Sequence, residues 1–200
     1  MVDIPQRTCY INELDRKKRT CHAQKRSAEM RNIMQKRVFQ LLVNNTSGVL
    51  SRITGLFSRR GYNIESITAG VTADPRFTRI TIVTSGDDEI LEQIEKQLAK
   101  LVDVRDIKEL KPEESVYREL IMVKVRAAAD QRQGIISVAD IFRAKIIDVG
   151  PESLMIELTG NQQKLDAFIS LLDGYEILEL ARTGIAGLGR GTDKVIFIDE

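Results

Sequence analysis

An α+β fold built from two ferredoxin-like βαββαβ domains is predicted by three observations. The order of strand-like and helix-like segments repeats once, a polar stretch with a proline separates the copies, and apolar residues alternate between two-residue and helical periods. In the first copy, Val38-Phe39-Gln40-Leu41-Leu42-Val43 is β-branched and aromatic enough for a buried strand. Val49, Leu50, Ile53, Leu56 and Phe57 then recur at helical spacing, and Gly61 is a helix stop. Ile64 to Val71 alternates as a strand, Asp74-Pro75 is a turn, and Phe77 to Thr84 alternates again. Ser85-Gly86-Asp87-Asp88 opens a helix whose Ile90, Leu91, Ile94, Leu98 and Leu101 share one face, and Val104 to Leu110 closes the unit.

Lys111-Pro112-Glu113-Glu114-Ser115 is the best linker in the chain. Beyond it, Leu120 to Val125 is an apolar strand, and residues 131 to 143 are helical with Ile135, Ile136, Val138, Ala139 and Phe142 on the apolar side. Lys145 to Val149 and Ser153 to Thr159 flank a Gly150-Pro151 turn, residues 162 to 172 form another helix, and Tyr175 to Leu180 is the last strand. The expected division is an extension over 1–36, a first domain over 37–111, a linker over 112–117, a second domain over 118–191 and a tail over 192–200. The glycine-rich Gly184 to Gly191 follows a strand, opens no helix and carries no phosphate-loop lysine. It is expected to be a flexible terminal segment or a loop that orders against another protein.

With 30% charged and 42% hydrophobic residues among 200, the composition is globular. No run of about 18 apolar residues occurs and the N-terminus lacks an apolar signal core, so a soluble cytoplasmic protein without membrane contact is expected. The net charge of +1 hides an asymmetry: residues 1 to 37 hold ten Lys/Arg against four Asp/Glu, leaving 20 against 25 in the remainder. The basic extension is read as solvated and flexible. Cys9, Cys21 and the lone His22 all lie in it, without the four-ligand spacing of a zinc site, so neither a metal nor a disulfide is expected.

Catalytic machinery is thin. No nucleophile elbow, His-Glu metal helix or Gly-Lys-Ser/Thr phosphate loop is present, so no catalytic residue is assigned. Glu92 and Glu95 beside Lys96 and Lys100 have the spacing of solvated ion pairs. RNA-binding modules of this topology need a Lys/Arg-Gly-aromatic signature, whereas Phe77 to Thr84 offers one aromatic, and nucleic acid is not an expected partner.

The loop Asn44-Asn45-Thr46-Ser47-Gly48 joins a strand to a helix start, which suits a carboxylate. Asn45 and Ser47 are candidate acceptors for the first helical amides, serving a ligand site or simply capping the helix, and Gly48 admits close approach to the backbone. The backbone around Gly48 offers donors, and the amide oxygens of Asn45 and Asn63 are acceptors. Val49, Leu50 and Ile64 are able to receive an apolar side chain, though each equally suits the core.

From Arg37 to Leu110 the sequence resembles the ACT domain of the acetolactate (acetohydroxyacid) synthase small regulatory subunit. The segments carrying the resemblance are Asn45-Thr46-Ser47-Gly48-Val49-Leu50-Ser51-Arg52, Gly55 to Ser66, Ile94-Glu95-Lys96-Gln97-Leu98 and Lys100 to Val104. The second domain is similar through Arg118-Glu119-Leu120, Ile141-Phe142-Arg143 and Ala181-Arg182-Thr183-Gly184. The resemblance implies a subunit without catalytic activity of its own. It would activate a thiamine-diphosphate-dependent large subunit and confer feedback inhibition by valine in branched-chain amino-acid synthesis. It also implies a homodimer through the ACT domain, with valine at the interface, held by Asn45 and Gly48 of one subunit and Asn63 of the other, with Val49 and Ile64 as the candidate apolar contacts. Thiamine diphosphate, magnesium and FAD are expected in the large subunit and no cofactor in this chain. The alternative is a free-standing amino-acid-binding ACT sensor acting on another partner.

Overall fold

A computed structural model describes residues 35–192. The expectations for the extension up to residue 34, including Cys9, Cys21 and His22, and for the tail from residue 193 lie outside the described residues.

The first unit begins with β1 (Gln35–Asn44), which buries Phe39, Leu41 and Val43. Helix α1 (Val49–Arg60) follows, with Val49, Ile53, Leu56 and Phe57 on its inner face. It stops at Gly61, whose φ of 69° places it in the left-handed region. The amides of Gly61 and Tyr62 bond back to the carbonyls of Ser58 and Phe57, satisfying the last turn as glycine-terminated helices do. Strands β2 (Asn63–Val71) and β3 (Phe77–Gly86) come next. Ser85 and Gly86 finish β3 instead of opening the helix. Asp87 caps α2 (Asp88–Leu98) by accepting from the Ile90 amide at 2.7 Å, and β4 (Val104–Glu109) completes the unit. The sheet order is β2-β3-β1-β4, all antiparallel, with β2 and β4 at the edges.

The second unit repeats this pattern with β5 (Ser115–Arg126), α3 (Arg132–Phe142), β6 (Lys145–Val149), β7 (Ser153–Gly160), α4 (Gln162–Leu171) and β8 (Ile177–Arg182). Its sheet order is β6-β7-β5-β8. The helices pack on one face around Ile121, Val123, Ile135, Ile156, Leu165 and Phe168, all without exposure. Each unit thus has its own core.

Two features depart from the sequence reading, and they have one cause. The segment expected to be flexible or to order against another protein contains a ninth strand, β9 (Ala186–Gly189), which pairs antiparallel with Ser115–Arg118. That pairing extends β5 back to Ser115, into the stretch 112–117 read as a linker. Glycine leaves no side-chain pattern from which such a strand can be read. It fits here because β9 is squeezed: a Cβ at Gly187 would lie 2.7 Å from Leu110 Cδ1 and 2.9 Å from Tyr117 Cδ1.

Residues 183–187 also lie across the face of the first sheet that points away from its helices. The Gln40 side-chain amide donates to the Gly187 carbonyl at 2.9 Å, and the Thr68 hydroxyl donates to the Thr183 carbonyl at 3.0 Å. Thr81 and Val83 on that face lie beside this segment and are buried, although they alternate with the residues of the helix-side core. Tyr117 joins the contact by donating its hydroxyl to the Leu110 carbonyl, and burial pushes its phenol above the ordinary range.

Candidate functional site

The loop between β1 and α1 is held from both sides. Asn45 accepts a hydrogen bond from the Thr78 hydroxyl at 3.1 Å and donates its amide to the Pro75 carbonyl at 2.9 Å. Its backbone amide bonds to Arg76 O at 2.7 Å. Neither Asn45 nor Ser47 caps the helix, contrary to the capping reading of that pair. Gly48 is the N-cap, with φ 85° and no side-chain hydrogen bond, because the chain enters the helix through a left-handed turn. The first turn of α1 therefore carries no capping side chain and no acidic residue. Arg52 stands one turn in and is fixed by Asp103 at 2.6 Å, and Arg105 bonds the Asn44 side chain at 2.9 Å. The helix start keeps its positive end open to an anion.

Of the remaining residues expected at the ligand site, Val49 is 4% exposed and belongs to the core, while Ile64 is half-buried against the same cluster. Asn63 is exposed at the start of β2, where its carbonyl accepts from Thr84 at 2.6 Å and its side chain forms no described hydrogen bond. Asn63 and Ser85 are partners, and Ser85 is also paired with Lys36, nine residues before Asn45. At roughly 3.3 Å per residue, Asn63 and Asn45 stand about 30 Å apart at opposite ends of the sheet. One copy of the chain brings together Asn45, Gly48 and the helix start, and keeps Asn63 and Ile64 away from them.

The described residues include no His and no Cys. Among them, no group of three acidic or other metal-ligating side chains is arranged for a metal ion. No described helix is long and apolar enough to cross a membrane.

The two units match two family descriptions. Residues 39–106 match the AHAS small subunit-like ACT domain, and residues 118–191 match the small subunit of acetolactate synthase. The chain belongs to the acetolactate synthase small-subunit family. It is 49% identical over 162 residues to the acetolactate synthase isozyme 3 small subunit of Escherichia coli, spanning 80% of this chain and 99% of that one. The probable acetolactate synthase small subunit of Methanothermobacter thermautotrophicus is 49% identical over 156 residues, 78% of this chain and 93% of the relative. The crystal structure of the Thermotoga maritima small subunit is 42% identical, covers 80% of this chain and 99% of its own, and superimposes with a TM-score of 0.73. As a small-subunit family member, this chain carries an ACT domain followed by the family's own second domain.

Sequence reasoning missed Thr78, Pro75, Asp103 and Arg105, which fix the loop. All four act from neighbouring strands or turns, and no local spacing marks them.

Proposed function

We propose that this small-subunit chain is regulatory: it activates a catalytic large subunit and carries the feedback inhibition by valine. Two copies pair through their ACT domains, over 37–111, and valine sits between them. The Asn45–Gly48 loop and the helix start of one copy take the carboxylate, and the amide oxygens of Asn45 and of the other copy's Asn63 take the ammonium group. Val49 and Ile64 border the apolar side chain.

The observation that carries this reading is the wide separation of Asn45 from Asn63. A single ligand touching both must lie between two copies. Strand β2 is an edge, and in-register antiparallel pairing with its own copy sets Asn63 beside the copy's Val71. Val71 pairs with Thr78, the residue bonded to Asn45, and it is 61% exposed. A two-fold axis across this edge therefore brings the two half-sites toward each other.

Thiamine diphosphate, magnesium and FAD belong to the large subunit, and this chain has no catalytic activity alone. Its place of action is the cytoplasm. The deciding experiment is reconstitution of acetolactate formation with the purified large subunit, with and without this chain and valine. Stimulation that valine reverses supports the reading. Valine binding without any stimulation favours a free-standing ACT sensor instead.

A further inference from the structure

The junction of the two units encloses a cleft that neither core fills. It has a polar lobe of about 360 Å³ and a more apolar lobe of about 210 Å³, which share Lys36, Val83, Glu119, Gln162 and Ile185 in their walls. The combined space is in the range of small-molecule sites.

Glu119 decides its character. Only 8% exposed, it lines both lobes, yet its carboxylate makes no hydrogen bond to any described residue. Its one charged neighbour is Arg182 at 3.6 Å, and Arg182 makes its short contact elsewhere, with Asp166 at 2.6 Å. A carboxylate in a largely buried residue is normally matched by close donors, and beyond the long contact to Arg182 the side of Glu119 facing the cleft is where a donor fits. Across the same space stand Lys36, 57% exposed and paired with Glu65 at 2.6 Å on the wall of the polar lobe, and the first residue of α4, Gln162, so an entering carboxylate would compete with Glu65 for the ammonium. Asn161 caps that helix through the Lys164 amide, leaving its positive end beside the cleft. Val38, Leu110 and Tyr117 line the less polar lobe.

An anion held only by one long contact to Arg182, a cationic group with a helix start opposite, and an apolar recess together fit one class of compound. We propose that the inter-unit cleft is a second effector site, for an α-amino acid with a small apolar side chain. Glu119 takes the ammonium group, Lys36 and the start of α4 take the carboxylate, and the recess of Val38, Leu110 and Tyr117 takes the side chain. The site lies within one copy and is separate from the one between ACT domains.

The test is amide-resolved NMR titration of the full chain with L-valine, with L-leucine, and with 3-methyl-2-oxobutanoate, which keeps the valine skeleton but lacks the ammonium group. An amino acid is expected to shift the Gly160, Gln162 and Thr183 amides, and the oxo acid is not. Glu119→Gln and Lys36→Ala should each weaken that binding about tenfold or more. Lys36→Ala loses only the surface pair with Glu65, which a melt of the variant reads directly, so the test stands even where Glu119→Gln proves unstable. Unshifted cleft amides in the parent, or unchanged affinity in Lys36→Ala, overturns the proposal. The site between ACT domains is read separately from Asn45, Gly48 and Asn63, so either site is able to fail while the other stands.

Discussion

Thr78 donates its hydroxyl to the Asn45 side chain at 3.1 Å, tying the loop before α1 to the start of β3. Asn45 thus has a structural duty whether or not a ligand is present. Asn45→Ala removes that bond and the one to Pro75 O, and should lower stability by about 1 kcal/mol as well as weakening valine binding. Thermal melting and calorimetric titration of the same variant check both effects.

Asn63→Ala should behave differently, because the Asn63 side chain has no described partner in its own chain. Valine inhibition of the reconstituted enzyme should weaken by about ten- to a hundredfold, corresponding to roughly 1.5–3 kcal/mol for a hydrogen bond to a charged group, while melting and activation stay near those of the parent. A folded variant that binds valine like the parent removes Asn63 from the site.

Gly48→Ala tests the left-handed entry to α1. A Cβ there would meet only Arg52, at an ordinary 3.5 Å, so space is not the obstacle. The backbone is: a φ of 85° should cost alanine about 1–2 kcal/mol, read as a lowered melting temperature.

The Lys36–Glu65 contact sets a pH signature. The Lys36 ammonium, hydrogen-bonded at 2.6 Å, holds the Glu65 carboxyl below its ordinary value. The stabilisation is therefore fully present above the unfolded carboxyl value of 4.5 and is lost as pH falls through the lower folded one. Glu65→Gln should flatten the fall in melting temperature below about pH 4.5 and leave the neutral-pH slope unchanged. A parallel fall in both proteins counts against the pair.

Removing residues 1–29 leaves β1 and both family-matched segments whole. Activation of the large subunit should persist in the shortened chain, as measured by acetolactate formation.

The strands and helices that bury a face were legible because period and burial coincide: Ile53, Leu56 and Phe57 mark α1 as plainly in the sequence as in the core. Gly61 was legible as a stop because few other residues adopt its backbone. What escaped was set by distant partners. Gly184 to Gly189 has no side-chain pattern, and only the proximity of Leu110, Tyr117 and Gln40 makes a strand of it. The loop residues were found through the family motif, whereas the role of Asn45 depends on Thr78, thirty-three residues away. Glu119 stood just before the strand read from Leu120 onward, and only the packing of the first unit against β5 buries it.

The Gln40–Gly187 bond spans 147 residues. At synthesis rates of about 5–20 residues per second, roughly 7–30 s separate the emergence of its two ends from the ribosome. The nascent ACT domain is able to fold long before then, with Thr81 and Val83 not yet covered by residues 183–187. A chain broken off before residue 183 leaves that face of the sheet permanently uncovered, so truncated products should be the ones that chaperones hold and that aggregate in the cell.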